Sequence, residues 1–375
     1  MTAALRRPSL NFFYMWYNTR ASKLLGVEYP ILQGPFGGNL SSVKLASLVS
    51  NMGGVGGYGA YTLTPDEIVR LNQELRQATD RPYNINLWVS NSDVSRDGVS
   101  DAELDRAKAL FEPYFVELGL EMPEKPGLPV NSFEDQVEAL LYTKPPVFSF
   151  VFGIPSAEIL EQCRKKGILI AGGATTLDEA IALEAAGVDL IVASGFEGGG
   201  HRPSFLAPAE ASLTGTFVLV QQIRDNVRVP VIAAGGIATG KGIAAALALG
   251  ADGVQIGTAF LACEESGAPA FHRNLLFSDA AKYSVLTRAF SGRLGRGLMS
   301  RVAREVSGRE KEILPFPLQS RFMSSLRQAA IAREKWELIL VWGGQIAPLL
   351  THTKAADLMT ALLEETSTYF HQLKN

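Results

Sequence analysis

Cysteine, histidine and charge are all scarce in this 375-residue chain, and each shortage removes a class of function. The two cysteines, Cys163 and Cys263, lie far apart, with neither metal-ligand spacing nor a disulfide framework. They read as small apolar residues packed in a reducing compartment, and no metal site is expected. Charged residues make up 19% and the formal net charge is −3. That leaves no electrostatic footprint for nucleic acid or an anionic membrane. No apolar run reaches the roughly 18 residues of a membrane span. The start, Arg6-Arg7-Pro8 with Leu10-Asn11-Phe12-Phe13, has the outline of a twin-arginine export signal. Its apolar stretch breaks at Asn18-Thr19-Arg20, however, and no small-residue cleavage site follows, so a cytoplasmic protein is expected. Only four histidines, His201, His272, His352 and His371, can take or hold a proton near neutral pH.

Hydrophobic residues are plentiful at 47%, enough for a large core. Short β-branched apolar runs alternate with longer helical stretches, the pattern of βα units around a parallel sheet. Eight strands are expected, at Pro30–Phe36, Val55–Ala60, Asn84–Val89, Val147–Gly153, Ile168–Gly173, Leu190–Gly195, Val229–Ala234 and Gly253–Gly257. Those from Ile168 onward lack alternation, as strands covered on both faces do. Eight strands with a phosphate loop at the end favour a closed (β/α)8 TIM barrel over an open doubly wound sheet. Helix boundaries repeat one grammar. Thr176 and Thr239 open helices as caps, and Gly187 and Gly250 close them.

The expected organisation is a barrel over residues 1–263 with an insertion at about 91–146, a helical cap over 264–350, and a closing helix over 351–375. The insertion carries polar turns at Asn91-Ser92-Asp93, a charged helix from Asp101 to about Leu118 and a Pro-rich link at Pro123–Pro129. The cap carries a Gly/Arg-rich loop, Ser291 to Gly297; Arg288, just before it, and Arg293 and Arg296 within it suit an anionic group, a dinucleotide phosphate or a solvated basic loop. The aromatic start (Phe12, Phe13, Tyr14, Trp16, Tyr17) points to packing against the barrel or a partner, so a homodimer is considered.

Chemistry concentrates at strand ends. Val231-Ile232-Ala233-Ala234 runs into Gly235-Gly236, and Gln255-Ile256-Gly257-Thr258 follows one βα unit later. A strand ending in Gly-Gly exposes backbone N–H groups, and a helix N-terminus adds partial positive charge. Loops after the last two strands are the usual phosphate cradle of such barrels. Gly172-Gly173 is a weaker echo, expected to serve turn geometry or close packing. After the sixth strand, Ser194-Gly195-Phe196-Glu197-Gly198-Gly199-Gly200-His201 combines four glycines with one histidine. Bare backbone there admits a planar ligand, and His201 is the candidate acid–base residue. Glu197 reads as a solvated loop carboxylate. Gln33-Gly34-Pro35-Phe36-Gly37-Gly38 ends the first strand and could lie against a flat ring. Asn86 ends the third, with an amide that both donates and accepts.

Taken in order, Gln33–Gly38, Ser50-Asn51-Met52-Gly53-Gly54, Gly198–Arg202, Ala234–Ile237 and Gln255–Thr258 resemble the motifs of the nitronate monooxygenase family. The resemblance covers roughly residues 28–262, with an outlying Gly343-Gly344-Gln345 similar to the family's Gly-Gln element. It implies an FMN barrel with a helical cap and the site between them. It implies FMN contacts at Asn86, Ser194, Gly199, Gly200, Gly235, Gly236, Gln255, Gly257 and Thr258, with Gly34, Pro35 and Phe36 beside the ring. His201 matches the family's catalytic histidine, which deprotonates a nitroalkane or orients a nitronate. The implied reaction takes an alkyl nitronate and O2 to a carbonyl compound and nitrite. Phe36, Met52, Ser194 and Pro203 depart from the family's usual residues, at positions expected to line the pocket. Two other readings stand beside this one: a flavin-dependent enoyl-acyl-carrier-protein reductase using a nicotinamide cofactor, and a non-redox barrel enzyme for phosphorylated metabolites.

Overall fold

A computed structural model describes residues 15–89, 98–127 and 132–372. Strands β1 (Ile31–Gln33), β2 (Gly56–Gly59), β3 (Tyr83–Trp88), β4 (Val147–Val151), β5 (Leu169–Ala174) and β6 (Leu190–Ser194) come first. The short β7 (Gly200–His201) precedes β8 (Val231–Ala234), β9 (Gly253–Ile256), β10 (Ser284–Thr287) and β11 (Gly295–Leu298). All strands but β7, β10 and β11 form one parallel sheet, in the order β1-β9-β8-β6-β5-β4-β3-β2. Its two edges meet. Gln33 N donates to Val55 O at 2.8 Å, Val55 N to Ile31 O at 3.0 Å, and Gly57 N to the Gln33 side-chain oxygen at 2.8 Å. The fold is thus the expected (β/α)8 barrel, with each of the eight runs read from the sequence contributing one strand.

Local chemistry explains the helices between them. Thr64 and Glu67 cap the helix Pro65–Ala78 reciprocally, with Pro65 at its first position. Thr176 accepts from Glu179 N, and Gly187 ends that helix at φ 83°. Thr239 likewise opens Gly240–Ala248 by accepting from Gly242 N. Gly172 and Gly173 serve packing. Side chains there would run into Leu183 at 2.4 Å and Val151 at 3.0 Å.

The two largest of the apolar clusters among the described residues lie apart. One lies between the barrel and its helices, around Ile31, Ile85, Phe148, Ile191 and Val254. The other lies in the cap and draws Leu104, Phe111 and Phe115 from the helix Asp101–Glu117 together with Val302, Phe322 and Leu326. The inserted segment is therefore divided. Asp101–Glu117 belongs to the cap core, whereas Phe133–Thr143 packs on the barrel beside Pro65–Ala78. Nor is the cap purely helical, because β10, β11 and β7 form an antiparallel sheet that ties it to the barrel. The final helix, Ala355–Gln372, packs along Gly240–Ala248 and receives Gly240 N on Glu365 at 2.8 Å. Trp16 is buried between Tyr29 and that helix, donating to Ser367 Oγ at 3.0 Å. Arg6, Arg7, Phe12, Phe13, Tyr14 and the Asn91–Asp93 turn lie outside the described residues. No described helix is long and apolar enough to cross a membrane.

Candidate active site

The C-terminal ends of the barrel strands and the cap enclose a cavity of about 560 Å³. Strand β8 enters it through Gly235 and Gly236, at φ 107° and 70°, a left-handed conformation suited to glycine. A Cβ on Gly235 would lie 2.9 Å from Thr216 Oγ1 and 3.0 Å from Gly195 O. The N–H groups of Gly236 and Ile237 donate to no backbone carbonyl among the described residues. Next to this turn, β9 brings Gln255 to the wall and Gly257 leads into the short helix Thr258–Leu261. Bare left-handed backbone, unclaimed donors and the start of Gly240–Ala248 together fit a phosphate group.

The loop after β6 closes over the same space. Arg202 is buried and binds three carbonyls, of Gly195 (2.7 Å), Ser194 (3.0 Å) and Ser212 (2.9 Å), so it staples the loop to its surroundings. Glu197 is not the solvated carboxylate expected. It lines the cavity and accepts from Thr216 N at 3.0 Å and Thr216 Oγ1 at 2.9 Å. Gly199 is pressed against the cap. A Cβ there would stand 2.6 Å from Gly344 N and 2.7 Å from Gly343 C. Gly344 N in turn donates to Thr258 Oγ1 at 2.9 Å, and Gln345 N to Glu197 O at 2.9 Å.

His201 sits on β7, paired in register with Gly295 of β11. A side chain at Gly295 would strike Trp342 at 2.8 Å and His201 at 3.2 Å, so this glycine makes room for both rings. The imidazole is surrounded by Trp342 (4.8 Å between centroids), Trp88 (5.3 Å), Phe316 (6.2 Å) and Phe152 (6.4 Å). Its Nε2 shares a hydrogen bond of 2.7 Å with Ser291 Oγ. Burial, reinforced by the Arg293 guanidinium, pushes its pKa down to about 3, so the ring is neutral at physiological pH. A base that weak does not readily take a proton from carbon. A neutral imidazole still offers a hydrogen bond to an anionic oxygen.

On the far side, Asn86 and Trp88 project from β3 at alternate positions of one face. Asn84 and Asn86 both donate to Ser149 Oγ, at 2.8 and 2.9 Å, which fixes the Asn86 amide and leaves its oxygen to the cavity. The Tyr61 ring stacks on Trp88 at 3.6 Å. Pro35, Phe36, Asn86, Ser194, Gly199, Gly200, His201, Gly235, Gly236, Gln255, Gly257 and Thr258 all line the one cavity. Gly34 does not. It lies behind the wall, with its Cβ direction 3.1 Å from Gly257 Cα. Met52 also lies away from the cavity, against the barrel core at the end of the helix Val43–Asn51.

The arginines of the Gly/Arg loop are not a solvated basic surface. Arg288 holds Glu210 through two contacts of 2.8 and 3.0 Å, and buried Arg296 binds Phe196 O and Ser284 Oγ. Arg293 lies over Phe152 at 3.8 Å and Phe316 at 4.3 Å. Sequence reasoning missed Ser291, Trp342 and His272 as cavity residues. His272 Nε2 meets the Trp342 carbonyl at 2.8 Å, which requires a proton on that nitrogen and anchors the tryptophan beside His201. These three come from distant parts of the chain and no local pattern marks them. Trp88 was findable, two residues beyond Asn86 on the same strand face.

The nitronate monooxygenase family profile matches residues 18–365. A probable nitronate monooxygenase of Staphylococcus aureus (strain JH9) is 38% identical over 352 residues, which is 94% of this chain and 98% of the relative. Among solved structures, nitroalkane oxidase from Streptomyces ansochromogenes superposes with a TM-score of 0.86 at 33% identity, covering 94% of this chain and 99% of its own. FabK from Thermotoga maritima superposes with a TM-score of 0.73 at 30% identity, covering 95% and 98%.

Proposed function

The chain belongs to the nitronate monooxygenase family of flavin oxidoreductases, and from that premise we propose that it oxidises alkyl nitronates with O2 to a carbonyl compound and nitrite, using FMN. The observation that carries this reading is the meeting, in one cavity, of a bare glycine cradle and a neutral histidine in an aromatic cage. The cradle suits a single terminal phosphate, as FMN has. Gly235, Gly236 and Gly257 would hold it through backbone donors, with Gln255 and Asn86 offering amides to the polar edge of the ring. When bound, the flavin supplies the electron transfer between substrate and O2.

The protein's own part is orientation. His201, held by Ser291 and walled by Trp88 and Trp342, keeps Nδ1 without a protein partner among the described residues, ready for an oxygen of the substrate's anionic head. Burial disfavours the imidazolium, so the ring meets the substrate's head as a neutral hydrogen-bonding group. The aromatic walls exclude water and strengthen that hydrogen bond. Thr216 and Glu197 brace the loop that separates head group from cradle.

The decisive experiment mixes purified enzyme anaerobically with an alkyl nitronate, a neutral nitroalkane, NADH or NADPH, and follows flavin absorbance. Bleaching with the nitronate alone is expected. Rapid bleaching by a nicotinamide would replace this reading with the reductase. Colourless protein that fails to take up FMN would remove both.

A further inference from the structure

We propose that Tyr61 is a second substrate-binding residue, its phenolic hydroxyl donating a hydrogen bond to the second oxygen of the nitronate head that His201 holds; this rests on the reaction proposed above. A nitronate spreads its negative charge over two oxygens, whereas a neutral imidazole offers one N–H. An anionic oxygen taken out of water without a partner is costly, so the enclosed head calls for another donor. Tyr61 lines the same cavity, and its hydroxyl has no hydrogen-bond partner among the described residues.

The ring is held on several sides, which fixes where that hydroxyl stands. Tyr61 stacks on Trp88 with centroids 3.6 Å apart and planes 2° from parallel. Gly37 leaves room for it, since a Cβ there would overlap Tyr61 Cε1. The Tyr61 carbonyl accepts from Gln136 Nε2 at 2.8 Å, tying its backbone to the helix Phe133–Thr143. Trp88 also meets His201, at 5.3 Å and 88°. One indole thus brings the imidazole and the phenol to the same part of the cavity. The surroundings suit an anion. Arg293 lies over Trp88 at 5.8 Å, and Arg327, exposed on the cap, lines the cavity without an ion-pair partner among the described residues. Burial raises the phenol's pKa above its ordinary value, offset in part by these two guanidiniums, so it stays a donor at neutral pH.

The test is Tyr61→Phe, which keeps the ring and removes only the hydroxyl. Variant and wild-type holoenzyme are compared for alkyl nitronate turnover and, by calorimetry, for binding of nitrate, an unreactive planar anion. KM for the nitronate should rise about tenfold with kcat little changed, and nitrate should bind about tenfold more weakly, the scale of one hydrogen bond to a charged group. Flavin content and Tm should match wild type, because the packing on Trp88 and Gly37 is retained. A purely structural tyrosine would shift Tm and leave KM and nitrate affinity alone. That outcome, or values within twofold of wild type in both measurements, would overturn the proposal while leaving nitronate oxidation in place. If wild type turns over no nitronate but nitrate still binds more weakly to the variant, the anion site stands and the reaction assigned to it falls.

Discussion

The barrel side and the cap side of the cavity solve opposite problems. On the barrel side, binding surface is made by omission: Gly235, Gly236, Gly199 and Gly257 present backbone, and the turn at Gly235-Gly236 needs φ values that other residues resist. On the cap side it is made by bulk. Trp342, Met323, Leu326 and Leu340 fill space and exclude water. The difference teaches that the two walls of one cavity are built from different kinds of residue, glycine backbone on one side and bulky side chains on the other.

That contrast is sharpest at Gly236. Gly236→Val forces a β-branched side chain into φ 70° and into the cradle, and should abolish flavin retention, read as the ratio of visible to ultraviolet absorbance after purification. Full flavin content in that variant would break the division outright. His201→Asn should keep flavin but lower kcat/KM for a nitronate about a hundredfold, the scale of a lost positioning contact. An unchanged rate would move the head-group site elsewhere. Gly199→Ala tests the seam between the two sides. Its methyl would press on Gly343 and Gly344, costing about 2–3 kcal/mol in thermal unfolding. Thr258→Val removes only the acceptor for Gly344 N and should cost about 1 kcal/mol.

A separate effect concerns pH. His201 sits near 3 in the folded protein against an ordinary value of 6.5, so between those values the unfolded chain binds the extra proton. This group's contribution to stability is therefore complete above pH 6.5 and lost as pH falls toward 3. The wild-type Tm should drop from pH 7 to pH 5 by more than that of His201→Gln. Equal drops would mean the imidazole is not held neutral.

The barrel side was legible in the sequence because its information is local. Gly-Gly after an apolar run and Thr before a helix each act within a few residues, so the cradle and its helix followed directly from spacing. Asn86 was visible for the same reason, as a strand-end amide, and Trp88 was one period-two step further. The cap side was not legible. Ser291 and Trp342 reach His201 only through the antiparallel pairing of β7 with β11 and the bridge from Gly297 to Trp342. The Gly/Arg loop left an anion site and a solvated loop equally open because its arginines find their carbonyl, carboxylate and aromatic partners at long range. Gly34 and Met52 erred the other way, since being next to a motif does not say which side of the backbone faces the cavity.

By itself, then, the sequence determined the eight-stranded barrel, the glycine cradle and the singling out of His201, because hydrophobic period, capping and glycine turns are short-range physics. Only the tertiary structure decided that His201 is enclosed by aromatic rings, that Arg202 and Glu197 are braces, and that Met323 and Leu326 of the cap core line the cavity. Those properties depend on burial, and burial is set by which distant segments pack together.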